Sequence, residues 1–248
     1  SHLWMATQDD GLALIAFGPS TVTAKVADGR TVQIHEDTDY PFQGSVRLTL
    51  NMDQSVSFPL QIRIPSWAEG AEVKVGTQTE KPQAGTYARI ERMWNPGDKV
   101  EIELPMRLRT ETRYNHAVSL LRGPLYFSLK IGEEYKVLQK YHDTLPVVDY
   151  AIYPTTPWNF ALLLDRDQPD RCAKVLTGSV GKIPYAQEDA PVVIKVKGRM
   201  VPEWTMYNNS ADTPPESPVV SEQPLTELEL IPYASTRLRI TEFPMLAE

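Results

Sequence analysis

Apolar and polar residues alternate through much of the chain. One row contains Val46, Leu48, Leu50 and Met52, with polar residues at the positions between them. The same spacing recurs in Leu60, Ile62 and Ile64; in Val100, Ile102, Leu104 and Met106; in Leu125, Phe127, Leu129 and Ile131; in Ile194 and Val196; and in Leu238 and Ile240. Because successive side chains of a strand point to opposite faces, each row predicts a strand with one buried face and one wet face.

Turn signals separate these rows. Asp28-Gly29 lies between two alternating runs and predicts a hairpin whose two turn residues both have positive φ. Residues 95–98 (NPGD) predict a second turn, directly before a strand that starts at Lys99. The 21 prolines include Pro59 and Pro105 at the ends of predicted strands. With no long amphipathic helix recognisable, the pattern predicts an all-β protein, a sandwich or a barrel.

The length of 248 residues suits one large domain or two ordinary ones. One set of strands ends near residue 110, and another opens with residues 118–129. We therefore expect two consecutive antiparallel β-sandwich domains, residues 1–110 and 111–248. Residues 201–224 are rich in Pro, Ser, Asn and Glu and predict a long surface loop in the second domain.

Composition limits the possible partners and cofactors. The net charge of −7 argues against a protein that follows nucleic-acid phosphates. No run of about 18 apolar residues is present, so no membrane span is expected. Single Cys172 leaves the redox compartment undetermined, and the opening residues lack the pattern of a signal peptide. Localisation is left open.

The usual residues of metal and catalytic sites form no convincing constellation. No histidine pair has metal-ligand spacing, and Cys172 has no neighbouring thiol, so we predict neither metal nor cofactor in this chain. Glu36 with Asp37, and Glu133 with Glu134, are adjacent in sequence, so in a strand their side chains would lie on opposite faces. A glycosidase needs two facing carboxylates, and we therefore predict no catalytic residue here.

Tryptophans provide the remaining candidates, because an aromatic ring can stack on the C–H face of a sugar. The candidates are Trp67, Trp94, Trp158 and Trp204. Trp204, together with Tyr207, lies in the proline-rich segment, and these two are our candidate substrate-binding residues. The alternative is that the tryptophans pack in the core or between domains.

Four phrases of the sequence carry a resemblance when they are taken together. They are residues 60–68 (LQIRIPSWA), residues 94–109 (WNPGD leading into LPMRLR), residues 121–126 (LRGPLY) and residues 231–244 (IPYASTRLRITEFP). Their order and spacing resemble the carboxy-terminal half of the β-L-arabinofuranosidase-like enzymes, glycoside hydrolase family 127 and its relatives. The opening residues 3–12 (LWMATQDDGL) look like the segment that leaves the catalytic domain of that family.

The resemblance implies a parent protein with an upstream helical (α/α)6 barrel followed by two β-sandwiches. It also implies that the acid/base glutamate, a zinc-bound cysteine nucleophile and the other zinc ligands lie in that barrel. No catalytic motif of the family maps onto this chain, and Cys172 lies far downstream of the position of the nucleophile. The parent would be a retaining exo-glycosidase acting on plant-polysaccharide side chains, and a periplasmic or secreted bacterial location would suit it.

Three roles for the chain remain open at this stage. As an inactive scaffold segment, it would pack against the catalytic barrel of its own polypeptide. As a binding module, it would hold carbohydrate through exposed aromatic rings. As an oligomerisation module, it would form a homodimer through a symmetric patch.

Overall fold

The computed structural model describes residues 2–247, and the chain divides into two compact units, Ser1–Arg107 and Leu108–Glu248. Within the described residues, the helical elements are three 3-10 turns: Tyr114–His116, Pro169–Arg171 and Tyr233–Ser235. The rest consists of strands and their connections. The predicted all-β class is confirmed.

The first unit contains ten strands. They are β1 (Trp4–Ala6), β2 (Leu12–Leu14), β3 (Ser20–Val26), β4 (Arg30–Thr38), β5 (Ser45–Asn51), β6 (Val56–Arg63), β7 (Glu72–Val75), β8 (Gln78–Glu80), β9 (Tyr87–Trp94) and β10 (Lys99–Glu103). A four-stranded sheet has the order β1-β2-β6-β9, and a six-stranded sheet has the order β3-β4-β5-β10-β7-β8. Pairing is antiparallel except between β2 and β6, which run parallel.

The core of the first unit is built from the alternating rows. In β5, Val46, Leu48 and Leu50 are buried, while their neighbours Arg47 and Thr49 are exposed or half-buried. The buried residues of both sheets form one apolar cluster. This is the arrangement that period-two patterning predicts for a sandwich-like unit.

Both predicted turns are present, but the first has a different geometry. Val26 pairs with Arg30, so the β3–β4 loop has three residues. Ala27 and Gly29 have positive φ, whereas the prediction gave positive φ to Asp28 and Gly29. The prediction of a two-residue turn is therefore wrong, because Ala27 takes the first left-handed position and its backbone N–H donates to the carbonyl of Asp10.

The second turn, at residues 95–98, links the two sheets of the first unit. Gly97 has a φ of +86°, and the backbone N–H of Asp98 donates to the carbonyl of Asn95. With proline and then glycine at its central positions, it has the sequence pattern of a type II turn. The turn places Trp94 at the end of β9, fully buried, and starts β10 at Lys99, as predicted.

The second unit contains the remaining strands. They are β11 (Leu108–Thr112), β12 (Val118–Arg122), β13 (Leu125–Leu129), β14 (Glu133–Lys140), β15 (Val148–Pro154), β16 (Phe160–Leu162), β17 (Ala173–Thr177), β18 (Val192–Met200), β19 (Met206–Tyr207), β20 (Ser210–Ala211) and β21 (Thr226–Pro232). Seven of them form a sheet ordered β11-β12-β13-β21-β18-β16, with β17 also pairing with β18. The pairs β14–β15 and β19–β20 are separate ribbons.

The C-terminal segment connects distant strands of this seven-stranded sheet. Val118 of β12 bridges to Phe243, and Leu162 of β16 bridges to Met245. Phe243, Leu120, Phe127 and Leu230 are buried. The sheet therefore curls around an apolar interior, as expected of a sandwich-like domain.

One predicted strand is absent. Leu238 and Ile240 lie outside the strands and are only half-buried. The backbone N–H of Leu238 donates to the Glu133 side chain, and that of Arg237 donates to the same carboxylate. The prediction of a strand at these residues is wrong: the Glu133 carboxylate, not a strand, pairs with the backbone at Leu238, and Ile240 accepts one bond from the Leu129 N–H of β13.

Candidate functional site

A cavity of about 340 Å³ in the second unit is lined by three tyrosines. Tyr126 is in β13, Tyr233 is in the third 3-10 turn, and Tyr185 is in the loop between β17 and β18. The pair Arg113 and Glu242 adds charged groups to the wall. A concave, mostly apolar wall with several aromatic and a few polar groups is typical of small-molecule sites, and this volume is within their usual range.

Hydrogen bonds fix the polar groups of this tyrosine pocket. Arg113 Nε donates to Glu242 Oε1 at 3.2 Å, and this bond raises the pKa of Arg113. The Tyr126 hydroxyl donates to Glu111 Oε2 at 2.5 Å, and this bond raises the pKa of Tyr126. Burial raises the pKa of Tyr185. Tyr126 and Tyr185 therefore stay neutral near pH 7, and the charges of Arg113 and Glu242 compensate each other.

Tyr233 is held from one side. The guanidinium of Arg239 lies 4.4 Å from the centroid of the Tyr233 ring, and Arg239 Nε donates to the carbonyl oxygens of Tyr233 and Thr236. Tyr233 is nevertheless 46% exposed, and Tyr126 and Tyr185 are 37% and 38% exposed. The pocket thus presents fixed aromatic surface and hydroxyl groups, which suits an uncharged polar ligand.

Sequence reasoning missed these residues as a site. Tyr126 belongs to the phrase 121–126, and Tyr233 and Glu242 belong to the phrase 231–244. Both phrases pointed to the family, but no spacing rule indicated that they meet. They meet because β13 pairs with β21, which aligns Phe127 with Pro232.

The two sequence-predicted binding residues lie elsewhere and differ from each other. Trp204 is 4% exposed, its Nε1 donates to the carbonyl of Asp212, and its ring packs edge-on against Trp158 at 5.2 Å. Its faces are therefore not open to a sugar in this structure. Tyr207 is 65% exposed at the end of β19, beside a turn in which Asn208 and Asn209 have positive φ. Of these two residues, only Tyr207 has an exposed ring.

The other tryptophans are packed. Trp94 is fully buried, and its Nε1 donates to the carbonyl of Phe58 at 3.0 Å. Trp67 packs against the core of the first unit, and Trp158 packs against the small cluster that contains Trp204 and Val201. Packing was the alternative role considered for these residues.

The adjacent carboxylates have separate environments. Glu36 is fully buried, accepting from the Gly18 backbone at 3.0 Å and from the Ser20 hydroxyl at 2.8 Å, while Asp37 is exposed. Burial raises the pKa of Glu36 despite these bonds. Glu133 accepts three bonds from residues 236–238, whereas Glu134 pairs with Lys136 on the surface. Neither pair faces across a cleft in the way that glycoside hydrolysis requires.

The described part of the chain was compared with the requirements of a metal site and of a membrane-spanning helix. Within residues 2–247, no group of three or more His, Cys, Asp or Glu side chains is arranged to hold a metal ion. Across the same residues, no helix has the length and apolar character needed to span a bilayer.

Comparison with known proteins finds similarity to glycoside hydrolases. Residues 11–106 match the family described as "Beta-L-arabinofuranosidase, GH127 middle domain". The resemblance to glycoside hydrolase family 127 is thereby confirmed: residues 11–106, most of the first unit, are similar to GH127 middle domains. No curated protein matches the chain.

Solved structures share the fold over nearly the whole chain. A GH127 β-L-arabinofuranosidase from Geobacillus stearothermophilus T6 is 24% identical with a TM-score of 0.63, and the match covers 97% of this chain and 34% of that one. A protein described as a glycoside hydrolase is 24% identical with a TM-score of 0.59, covering 96% and 36%. A GH127 β-arabinofuranosidase is 18% identical with a TM-score of 0.63, covering 96% and 35%. The chain thus spans about a third of the length of these proteins.

Proposed function

We propose that this chain is the non-catalytic carboxy-terminal scaffold of a glycoside hydrolase. The observation that carries the proposal is the match of residues 11–106 to the GH127 middle domain. The parent would be a retaining exo-glycosidase, β-L-arabinofuranosidase-like, that acts on plant-polysaccharide side chains. In this proposal its acid/base and zinc-thiolate chemistry belong to an upstream barrel, and the two β-domains support that barrel.

The environments of the carboxylates support a structural role. Glu36 is tied to Gly18 and Ser20 inside the first unit, and Glu133 is tied to the backbone of residues 236–238 in the second. Both carboxylates already accept several hydrogen bonds from the protein, so they are poor proton donors or nucleophiles toward a sugar.

The test compares two proteins on an aryl arabinofuranoside. The first is this 248-residue chain, and the second is the protein encoded when the reading frame is extended upstream. We expect hydrolysis by the extended protein and none above background by the chain. Hydrolysis by the chain that a single substitution within it abolishes would refute the scaffold role.

A second candidate function, carbohydrate binding, is favoured by the tyrosine pocket. Tyr126, Tyr185 and Tyr233 offer hydroxyl groups and aromatic surface around one cavity. Exposed Tyr207 provides a separate candidate platform. Calorimetric titration of the chain with arabinose and short arabino-oligosaccharides tests the function.

Two variants assign any binding that is found. Loss of binding in Tyr233→Ala, with binding unchanged in Tyr207→Ala, would assign it to the tyrosine pocket. The reverse result would assign it to the proline-rich segment. No heat of binding at millimolar sugar would remove this candidate function.

A further inference from the structure

The ribbon of β14 and β15, residues 133–154, exposes an unusual amount of apolar surface. Eight of its large apolar side chains are exposed: Tyr135, Val137, Leu138, Tyr141, Leu145, Val147, Tyr150 and Tyr153. Within the described residues, β14 pairs with β15 and with no other strand, and the same holds for β15. Both outer edges of the ribbon are thus open.

The register of the ribbon sorts its residues onto two faces. Tyr135 pairs with Ile152, and Val137 pairs with Tyr150. Since alternate residues share a face, these four and Val148 form one apolar face, where the Tyr135 and Tyr150 rings meet at 5.8 Å. We call this the apolar face of the ribbon.

The opposite face has a different character. Lys136 pairs ionically with Glu134 at 3.4 Å and lies 4.9 Å from the Tyr153 ring centroid. Asp149 accepts a bond from the Tyr141 hydroxyl. Polar and charged groups thus satisfy one another on this face, although Tyr141, Val147 and Tyr153 are also exposed on it. The two faces therefore differ in their charged groups, and the face of Tyr135, Val137, Tyr150 and Ile152 has the more continuous apolar surface.

A solitary ribbon of this kind is marginal in water. Two-stranded hairpins need a third strand or a packing partner for independent stability. Open edges beside exposed apolar residues also favour association with another chain. The exposed apolar side chains and the unpaired edges of the ribbon therefore favour contact with another surface.

The base of the ribbon is firmly held. Glu133 Oε1 accepts from the Thr236 hydroxyl at 3.0 Å, from the Arg237 N–H at 2.6 Å and from the Leu238 N–H at 2.9 Å. Partial burial acts to raise the pKa of Glu133, but these bonds and one from Tyr135 outweigh it and lower the pKa. These bonds attach the base of the ribbon to residues 236–238 and so fix the orientation of the apolar face.

We propose that the apolar face docks onto a part of the parent glycoside hydrolase that lies outside these 248 residues. The inference rests on the proposed function and names the surface through which the scaffold would contact the rest of its polypeptide. The solved relatives support this occupant, because the match covers only 34–36% of their chains. A surface elsewhere in the same polypeptide would meet the ribbon at high effective concentration.

The charge of the ribbon favours this occupant over anionic surfaces. Residues 133–154 contain four acidic residues and two basic ones, which gives a net charge of −2 with histidine neutral. A net-negative ribbon on a chain of charge −7 is repelled by nucleic acid and by anionic lipid. A second copy of the chain would carry the same negative charge, and it is an outcome of the test below.

Hydrogen exchange measured by mass spectrometry tests the docking. Amides of residues 135–152 are compared between this chain and the extended protein, each at two concentrations. We expect exchange at least about tenfold slower in the extended protein, independent of concentration. Equal exchange in the two proteins would overturn the inference. If exchange in the 248-residue chain became slower at the higher protein concentration, the inference would also be overturned, because a second copy would then cover the ribbon.

Matched double variants separate the two faces. Val137→Ser with Tyr150→Ser alters the apolar face, where these residues are 48% and 50% exposed. Val147→Ser with Tyr153→Ser alters the other face with the same residue types, at 49% and 47% exposure. In the extended protein we expect the first pair to abolish the slow exchange and the second to leave it within about twofold. Equal effects of both pairs would refute docking through the apolar face.

The two proposals can fail independently. Activity of the extended protein on glycosides reports on the proposed function, and amide protection reports on the ribbon. An active extended protein with an unprotected ribbon would end the docking inference and leave the scaffold role standing. An inactive extended protein with a protected ribbon would end the glycosidase proposal and leave the docking.

Discussion

Replacing Glu133 by alanine removes the cap that joins the ribbon to residues 236–238. Four hydrogen bonds are lost: three to Oε1 from Thr236, Arg237 and Leu238, and one to Oε2 from Tyr135. A hydrogen bond to a charged group contributes about 1.5–3 kcal/mol when it is well buried. Tyr135 and Arg237 are exposed, so water replaces much of what their donors lose.

The part-buried donors therefore set the magnitude. Leu238 is half-buried, so its N–H does not regain a full partner from solvent, whereas the Thr236 hydroxyl keeps the Leu238 carbonyl as an acceptor at 2.7 Å. One such loss, with smaller contributions from the other donors, gives an expected destabilisation of the second unit of about 2 kcal/mol. Glu133→Gln keeps an acceptor oxygen without the charge and should lose about 1 kcal/mol.

The effect should depend on pH in a defined direction. The folded-state pKa of Glu133 lies below its ordinary value, because the hydrogen bonds to the ionised form outweigh partial burial. The stabilisation is therefore fully present above the unfolded pKa of about 4.3 and is lost as the pH falls through the folded pKa. Above pH 6 the alanine variant should show its full destabilisation, and the difference from wild type should shrink as the pH falls below the unfolded pKa.

Urea unfolding from pH 3 to pH 7 and hydrogen exchange of residues 236–240 measure these effects. Glu134→Ala is the matched control, because Glu134 is the adjacent carboxylate and only pairs with Lys136, both half or more exposed. It should change the free energy of unfolding by less than about 0.5 kcal/mol. Equal losses in the two variants, or a Glu133 effect that grows as the pH falls, would refute the reasoning.

The first unit yields further predictions. Burial raises the pKa of Glu36, so the protein loses stability as the pH rises from about 4 through the folded pKa. Glu36→Gln should remove this loss. If the free energy of unfolding of the variant changed with pH in the same way as that of the wild type, the prediction would be contradicted. Gly97→Ala places a side chain at a φ of +86° and should lower the free energy of unfolding by about 1 kcal/mol in urea. Gly181→Ala is the control, because its surroundings are equally open and its φ is not positive, and it should leave stability unchanged. Equal effects would contradict the strain argument. Trp94→Phe removes the bond to the Phe58 carbonyl and leaves a void, for a loss of about 2–3 kcal/mol in the same assay; a loss under 0.5 kcal/mol would show that the core refills.

The strands were predictable where burial on one face is complete. Leu60, Ile62 and Ile64 are all buried to 1% exposure or less, so the alternation of the sequence reports directly on a sandwich interior. The same logic failed at Leu238 and Ile240. Alternation shows only that two apolar residues could share a face, and it says nothing about whether a neighbouring strand is present to pair with them.

The ribbon escaped sequence reasoning for the opposite reason. Tyr135 and Val137 on β14, and Tyr150 and Ile152 on β15, do alternate, but Leu138 adds a residue that shifts the register between Val137 and Gln139. A bulge of this kind breaks the period within a strand that is already short. The exposed apolar face could not be predicted either, because exposure depends on which other strands fail to cover it.

The segment 233–239 links the two features that sequence reasoning missed. Tyr233 lines the tyrosine pocket, and Arg239 contacts its ring and donates to its carbonyl. Arg239 Nε also donates to the Thr236 carbonyl. Glu133, at the base of the ribbon, fixes Thr236 through its hydroxyl. The ribbon is therefore linked to the pocket by three contacts, from Glu133 to Thr236, from Thr236 to Arg239 and from Arg239 to Tyr233. If both proposals hold, Glu133→Ala should weaken sugar binding without touching the pocket wall, whereas Glu134→Ala should leave binding unchanged.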